Sequence, residues 1–238
     1  MIDSTRAYEG DELELFRHAR NWKRYVAKRL RRYLKGDVLE VGAGLGAFTA
    51  VLSKRSVKSW CCLEPDPAMA EHLVHFVENA NFPFACRVCN GMLADLSKDQ
   101  VFDTILYIDV LEHIEEDRAE LAQAAQLLNP GGFLVVLSPA HQWLYSPFDG
   151  AIGHFRRYSV SAAADVTPPG LTLTSARYLD SVGLLAMLAN KALLRASMPT
   201  LRQILIWDRL MVPLSRLLDR ILFGRLGRSV LFVWRRDA

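Results

Sequence analysis

The stretch at residues 38–49, V-L-E-V-G-A-G-L-G-A-F-T, constrains the fold more than any other part of the chain. Four residues of strand character run into Gly42, Gly44 and Gly46, and a helical pattern then begins at Ala47. Glycine lets the backbone take a positive φ and lets a ligand come close, and free N–H groups at a helix start attract polar ligand atoms. The pattern predicts a strand, a tight turn and a helix that bind a nucleotide-like ligand.

Two classes of ligand use such a turn. A dinucleotide-binding fingerprint reads G-x-G-x-x-G/A with an acid about 20 residues further on. Gly42, Gly44, Ala47 and Glu64 satisfy it. The alternative is E-x-G-x-G-x-G, with Glu40 at the strand end and S-adenosylmethionine (SAM) as the ligand, which has no pyrophosphate. The glycines alone leave both alternatives open.

Two later stretches distinguish these alternatives. F-D-T-I-L-Y-I-D-V-L-E-H-I at residues 102–114 and L-L-N-P-G-G-F-L-V-V-L-S at 127–138 follow the glycine turn. Together the three resemble the class I SAM-dependent methyltransferases over roughly residues 14–178, and most of all a bacterial branch with L-F-R-H-A-R-N-W before the first strand and H-F-R-R-Y-S after the fifth. The resemblance implies a doubly wound α/β fold, Rossmann-like, with a seven-stranded, mostly parallel sheet and an antiparallel last strand. It also implies methyl transfer that leaves S-adenosylhomocysteine.

The chain is long enough for one α/β domain with a helical appendage, at 238 residues. We predict an N-terminal arm and basic amphipathic helix at 1–36, a SAM-binding catalytic core at 37–178, a helical insert at 179–228 and the last strand at 229–238. No apolar run reaches the length of a membrane span and the start lacks the apolar run of a signal peptide, which predicts a cytoplasmic protein. A net charge of +3 without an appended nucleic-acid module predicts no nucleic-acid partner.

The predicted cofactor site lies at strand ends. A carboxylate at Glu64 can accept hydrogen bonds from both ribose hydroxyls of a nucleoside. The resemblance implies that the exit of the third strand binds adenine, with Met92 and Leu93 enclosing the ring, and that Asp109 after the fourth strand holds the methionine portion. The full predicted set is Glu40, Gly42, Ala43, Gly44, Gly46, Glu64, Pro65, Gly91, Met92, Leu93, Asp109 and Val110.

The long loop at residues 138–159 is dense in His, Trp, Tyr, Arg and Asp, and such loops tend to carry function. Methyl transfer needs an aligned nucleophile, exclusion of water and often removal of a proton. We predict His141 or His154 as the base and Tyr145 or Tyr158 as a hydrogen-bonding partner of the acceptor. His113, after the fourth strand, is a further candidate base.

The acceptor itself is predicted to meet aromatic and basic side chains. Trp143 lies in the same loop, and Arg156 and Arg157 can clamp an anionic group. The alternative for the two arginines is a clasp onto Asp149 or a helix end. The resemblance implies that the segment before the first strand covers the cofactor, which makes Trp22 and Tyr25 further candidates.

The motif D-x-x-E-H at Asp109, Glu112 and His113 raises a metal hypothesis. Some ubiquinone-biosynthesis and RNA 3′-end methyltransferases of this fold bind a divalent ion through an acid followed by E-H, so a Mg²⁺ site is one interpretation. The same motif occurs in metal-independent relatives, and we predict no metal. The C-x-x-C pair Cys86 and Cys89 is a weak zinc signal, because residues three apart in a strand face opposite sides. All four cysteines are predicted to be buried reduced thiols in central strands.

The insert has the composition of amphipathic helices rich in Leu and Arg, which is typical of an interfacial membrane anchor. This predicts an anionic membrane surface at the inner face and a lipid-linked acceptor, whereas the alternative is a helical cap or a homodimer face. The strongly basic helix before the first strand has a similar pair of explanations, a solvated face or a surface for an anionic or phosphate-bearing partner. Two other functions stay open, an NAD-dependent oxidoreductase and a catalytically silent SAM-binding or partner-binding protein. The basic residues of the insert are Lys191, Arg195, Arg202, Arg209, Arg216, Arg220, Arg225 and Arg228, and its acidic residues are Asp180, Asp208 and Asp219.

Overall fold

The computed structural model describes residues 15–52, 56–193 and 200–237, without the side chains of 190–193. Within this range, seven strands form one sheet in the order β3-β2-β1-β4-β5-β7-β6. Strands β1 to β5 are parallel, and β7 runs antiparallel to both β5 and β6. The predicted fold class is confirmed. The strands are β1 Gly36–Val41, β2 Val57–Glu64, β3 Ala85–Asn90, β4 Phe102–Ile108, β5 Leu128–Pro139, β6 Leu171–Leu179 and β7 Ser229–Arg236.

Helices cover both faces of this sheet. Asp66 caps α3 by accepting a hydrogen bond from the Met69 N–H at 2.9 Å, and Pro67 begins that helix. The helices are α1 Arg20–Leu30, α2 Ala47–Leu52, α3 Pro67–Asn79, α4 Asp117–Gln126, α5 Pro147–Ala151, α6 Ser181–Leu193, α7 Leu201–Ile206 and α8 Val212–Ile221, with a π-helical turn at Trp207–Met211 between the last two.

Two apolar clusters hold the layers together. One contains Leu30 of α1, Trp60 of β2 and Trp207 of the insert, and the other contains Leu121 of α4 and Trp234 of β7. Strands β4 and β5 contribute to both clusters, because they are covered on both faces and nearly continuously apolar. The carboxyl ends of these strands therefore project from a fully buried centre of the sheet.

The structure corrects several expected boundaries. The predicted break at residues 129–132 lies inside β5, where Gly131 has φ 72° and the pairing with β4 shifts register between Phe102 and Thr104. A bulge of this kind accommodates turn residues within a strand. The helix expected from Leu13 is interrupted: residues 15–17 are helical, the helix breaks at His18 and Ala19, and α1 begins at Arg20. Leu13 itself, like the predicted arm at residues 1–12, lies outside the described residues.

The cysteines form two contacting pairs on opposite faces of β2 and β3. The Sγ atoms of Cys61 and Cys89 are 3.4 Å apart and those of Cys62 and Cys86 are 4.0 Å apart. All four are free thiols, but only Cys61 and Cys62 are buried. Strand β3 is an edge strand, not a central one, so its two cysteines are half-exposed.

The helical insert begins and ends at the carboxyl edge of the parallel strands. Leu179, the last residue of β6, is paired with Ser229, the first residue of β7, and Ser229 also pairs with Pro139 at the end of β5. The insert packs on α1, where Trp22 and Trp207 have ring centroids 5.7 Å apart. In the part of the chain that the structure describes, no helix has the length and apolar character needed to cross a bilayer.

Candidate active site at the carboxyl edge of the sheet

The turn after β1 accepts only glycine at two of its positions. Gly42 has φ 64°, and a Cβ there would lie 2.6 Å from Val110 Cγ2. Gly46 has φ 74°, and a Cβ there would lie 2.7 Å from the Phe76 ring. The N–H groups of Gly42 and Ala43 donate to the Leu63 carbonyl at 2.8 and 3.1 Å, which fixes the turn to β2. The backbone is thus held in the form that lets a ligand lie against it.

Glu64 closes the next side of the site at the end of β2. Its carboxylate accepts hydrogen bonds from the N–H of Gly44 at 2.7 Å and of Asp66 at 3.1 Å. Burial raises the pKa of Glu64, and these two hydrogen bonds oppose that shift. A carboxylate has about four acceptor positions, so two remain for a ribose diol. The neighbouring Pro65 carbonyl accepts from the Asn90 side chain at 3.2 Å, which ties the end of β3 to the same corner.

Glu40 supports the glycine turn from inside the domain and is not turned toward a ligand. One oxygen of its buried carboxylate accepts from Thr49 Oγ1 at 2.6 Å and from Trp60 Nε1 at 2.9 Å. Burial raises the pKa of Glu40 to about 7, although both hydrogen bonds favour the charged form. The residue joins β1, α2 and β2, so its place in the motif has a structural explanation.

Only one of the two residues expected to enclose adenine is exposed. Met92 is 58% exposed beside Gly91, whereas Leu93 is 2% exposed and packs in the core. Asp95 Oδ2 accepts from the Met92 N–H at 2.7 Å, which occupies part of that carboxylate. The corner therefore offers backbone groups and one thioether.

Three residues next to strand ends at this edge have positive φ without being glycine: Asp109 at 55°, His141 at 69° and Asp180 at 66°. Such backbone strain collects at functional sites. Asp109 is exposed to solvent, and desolvation by the surrounding protein raises its pKa to about 6 against the opposing charges of Arg228 and His154. Arg228 also lies 3.5 Å from Asp180, so the end of the insert reaches the site.

A buried acid–histidine pair lies close enough to Asp109 for its histidine to influence that carboxyl group. His154 Nδ1 is 3.0 Å from Asp149 Oδ1, and Arg157 grips the same carboxylate through Nε at 2.8 Å and an Nη at 3.0 Å. Ser146 Oγ donates to it at 2.8 Å. Although burial works in the opposite direction, these hydrogen bonds hold the pKa of Asp149 well below its usual range. Assigned from this network, the Nδ1 proton of His154 points to Asp149, which leaves Nε2 as the basic nitrogen.

Glu112 and His113 lie on the other side of His154. Glu112 Oε1 is 4.0 Å from His154 Nε2, and Ser138 Oγ donates to Glu112 Oε2 at 2.9 Å. The rings of His113 and His154 meet edge to face at 4.5 Å, and burial, followed by the charge of His154, lowers the pKa of His113 to about 4. Ligand atoms of Glu112, His113 and His154 lie within 4.8 Å of one another and could hold a metal ion. Asp109, a member of the predicted metal set, is not in this group.

His141 connects the loop to the insert. Its Nε2 is 3.0 Å from the Gly227 carbonyl, its ring stacks on Tyr178 at 4.6 Å, and burial lowers its pKa. Trp143, whose ring centroid is 5.3 Å from that of His141, is exposed. Of the predicted acceptor contacts, Trp143 is therefore solvent-exposed, while His141 is engaged at Nε2.

The other loop candidates organise the loop instead of facing an acceptor. Tyr145 donates to the His154 carbonyl at 2.6 Å, and buried Tyr158 donates to Asp117 at 2.7 Å. Arg156 pairs with Asp117 at 2.9 Å, and the alternative clasp onto Asp149 is the arrangement found for Arg157. These contacts fold the expected irregular loop around α5.

Trp22 and Tyr25 are also placed differently from the prediction. Both are buried beneath the insert, with Tyr25 donating to Asp219 at 2.6 Å. They join α1 to the insert through Asp219 and the Trp207 ring. The sequence did not predict the roles of Asp117, Asp219 and Arg228. For Asp219, one signal was available, because acidic residues are scarce in the basic insert.

The arrangement defines a class of protein: a doubly wound α/β domain with a glycine turn and a buried carboxylate at the ends of β1 and β2, and a Glu–His–His cluster that includes the residues after β4. Comparison with known proteins specifies the family. The sequence model of the methyltransferase domain family matches residues 15–182. The chain belongs to this family.

Relatives and solved structures agree with this assignment. A demethylmenaquinone methyltransferase of Tropheryma whipplei is 32% identical over 139 residues, which is 57% of this chain and 55% of the relative, so the chain spans about half the length of the curated relatives it matches. Coclaurine N-methyltransferase bound to N-methylheliamine and SAH has a TM-score of 0.61 at 12% identity, covering 92% of this chain and 72% of that one. The methyltransferase in complex with the Trm112 activator of Haloferax volcanii has a TM-score of 0.61 at 16% identity, covering 98% and 97%.

Proposed function

We propose that the protein methylates an oxygen or nitrogen atom of a small-molecule acceptor and that His154 is the general base. The observation that best supports His154 as the base is its hydrogen bond of 3.0 Å to Asp149, which leaves Nε2 of the same ring as a proton acceptor. A histidine whose orientation is fixed by a carboxylate is a recurrent solution for proton removal.

The residues at the strand ends fit the cofactor. Gly42 and Gly46 leave room that a Cβ would fill, Glu64 keeps lone pairs for a diol, and Met92 presents an exposed apolar face to an adenine ring. Val110 packs on the glycine turn, so Asp109 beside it lies between this cofactor corner and His154. When bound, SAM supplies an electrophilic methyl carbon whose bond to sulfur breaks, with the electron pair left on sulfur, as a lone pair of the acceptor attacks it.

The chain's own part is alignment and proton transfer. The acceptor O–H or N–H gives its proton to His154 Nε2, and Asp149 stabilises the imidazolium that forms. Glu112 Oε1, 4.0 Å from Nε2, places a second carboxyl group on that side. Trp143 offers a stacking face at the rim of the site. We propose a proton-transfer role for this cluster without a metal.

The test compares His154→Asn with His141→Asn. The amide of Asn at position 154 can still donate to Asp149 but cannot act as a base, so we expect turnover to fall at least about 100-fold. Binding of SAM and S-adenosylhomocysteine, measured by calorimetry, should change less than about threefold. An equal loss in both variants, or full activity of His154→Asn, would exclude His154 as the base.

The acceptor class and the alternatives are tested in the same experiments. The relative's description as a demethylmenaquinone methyltransferase supports including quinone-type acceptors with phenols and amines in the screen. Heat with NAD but not with SAM would favour the oxidoreductase alternative. SAM binding without turnover on any acceptor would favour a catalytically silent binding protein.

For the insert, we propose docking on an anionic membrane surface at the inner face, with a lipid-linked acceptor. The supporting observation is a row of exposed leucines and an isoleucine on α8, including Leu214 and Leu217. The second candidate is a homodimer through the same helices, which size-exclusion chromatography with light scattering would detect. Flotation with anionic vesicles distinguishes the two.

A further inference from the structure

A basic cleft lies between α1 and α8, two helices from opposite ends of the sequence. Its volume is about 350 Å³. Five of its lining side chains are cations, Lys28, Arg29 and Arg32 on the α1 side and Arg216 and Arg220 on α8, together with Tyr25, Pro213 and Leu217. None of the described residues provides a carboxylate partner within ion-pair distance of these five.

The acids that could neutralise the cleft are turned inward. Asp180, Asp208 and Asp219 are the only acids of the insert, and all three are buried. Asp208 accepts from the N–H groups of Asn21 and Trp22 at 3.1 and 2.8 Å, and so caps the start of α1. Asp219 accepts from Tyr25 and from two backbone N–H groups. The same acids that fix α1 to the insert leave the cleft's positive charge facing outward.

An exposed apolar stripe runs beside the cleft. Leu210, Leu214, Leu217 and Ile221 recur at helical spacing and are between 55% and 62% exposed. Leu217 also lines the cleft, so the stripe and the cationic groups share one edge of α8. An apolar row next to arginines is the surface that an interfacial helix presents to a charged bilayer.

We infer that this cleft binds the phosphate of an anionic lipid headgroup while the apolar stripe enters the same leaflet. Arginine forks match phosphate oxygens in pairs, and a free phosphate would leave the apolar stripe in water. A second copy placed across a two-fold axis would bring the cationic cleft against itself. The inference rests on the membrane part of the proposed function and not on the methyl-transfer chemistry.

The test uses the whole chain and vesicles of phosphatidylcholine with or without about one third phosphatidylglycerol. Two double variants remove charge from opposite walls of the cleft, Lys28→Gln with Arg32→Gln and Arg216→Gln with Arg220→Gln. The matched control, Lys98→Gln with Arg118→Gln, removes the same charge at exposed positions outside the cleft. Each cleft variant should bind phosphatidylglycerol vesicles on the order of thirtyfold more weakly, because each of its two lost basic residues contributes about 1 kcal/mol near the surface, which is about fivefold in affinity. The control should stay within about threefold.

Several results would overturn the inference. They are an equal loss in the control, unchanged vesicle binding in both cleft variants, binding to transfer RNA that the cleft variants abolish, or a dimer that buries the stripe. Calorimetry with glycerol 1-phosphate separates the two sources of phosphate, since affinity for the soluble compound equal to that for vesicles would contradict a lipid site. SAM binding, measured in parallel, shows whether the methyl-donor site is intact, so failure of the two proposals can be told apart.

Discussion

Replacing Glu40 by Gln should remove a pH dependence of stability that this residue gives the fold. Burial raises the pKa of Glu40 from 4.5 to about 7, so the folded protein holds this proton more tightly than the unfolded chain does. Between those two values the unfolded chain loses the proton first, and stability falls as the pH rises. Above about pH 7 both states are ionised and the loss is complete.

The size of the effect follows from the same values. Between pH 5 and pH 8 the wild type should lose about 2 to 3 kcal/mol of unfolding free energy through this group, from about 1.4 kcal/mol for each pKa unit. The carbonyl oxygen of Gln can still accept from Thr49 and Trp60, whose donors lie 2.6 and 2.9 Å from the present carboxylate oxygen. The variant should therefore gain stability relative to the wild type as the pH rises.

Urea unfolding of both proteins, at about one-unit steps from pH 5 to pH 8, measures the difference in unfolding free energy between the variant and the wild type. Glu71→Gln, a chemically identical change at an exposed helix position, is the control and should parallel the wild type. A stability difference between Glu40→Gln and wild type that is the same at pH 5 and pH 8, within about 0.5 kcal/mol, would refute the reasoning.

Two further predictions concern the insert and the histidine cluster. Asp208→Ala should lower the unfolding free energy by about 2 kcal/mol, because the N–H groups of Asn21 and Trp22 lose their shared acceptor. Asp165→Ala, at an exposed turn, is the control. Equal urea midpoints for the two variants would contradict the role of Asp208 as a helix cap. Exhaustive chelation should change turnover by less than about twofold if the cluster moves protons without a metal, whereas a loss that Mg²⁺ or Mn²⁺ restores would identify Glu112, His113 and His154 as a metal centre.

The sheet and the glycine turn could be predicted because their signals are local. Gly42 and Gly46 need positive φ and closely approach Val110 and Phe76, so the sequence pattern and the packing coincide. The apolar run of β4 similarly reflects burial on both faces. The acid at Glu40, by contrast, has two possible directions at a strand end, and only the positions of Thr49 and Trp60 decide between them.

The site residues of the loop could be named but not assigned. Residue type alone does not reveal that Asp149 takes Arg157 and His154 together, or that Tyr158 reaches Asp117 across 41 positions of sequence. These pairings join residues from different elements. They occupy polar groups that, judged from the sequence, could have bound a substrate. The inward orientation of Asp180, Asp208 and Asp219 has the same character, because a composition that reads as uniformly basic conceals which charges are neutralised.

The attachment of the insert bears on how this enzyme can be re-engineered. Leu179 and Ser229 are neighbours in the sheet, so a short turn could join them and close the core without the helices between. Helix α1, however, would then lose both of the carboxylates that hold it. A chimaera that exchanges the insert between relatives must therefore exchange the N-terminal helix as well. The two segments pack together as one unit, although most of the sequence lies between them.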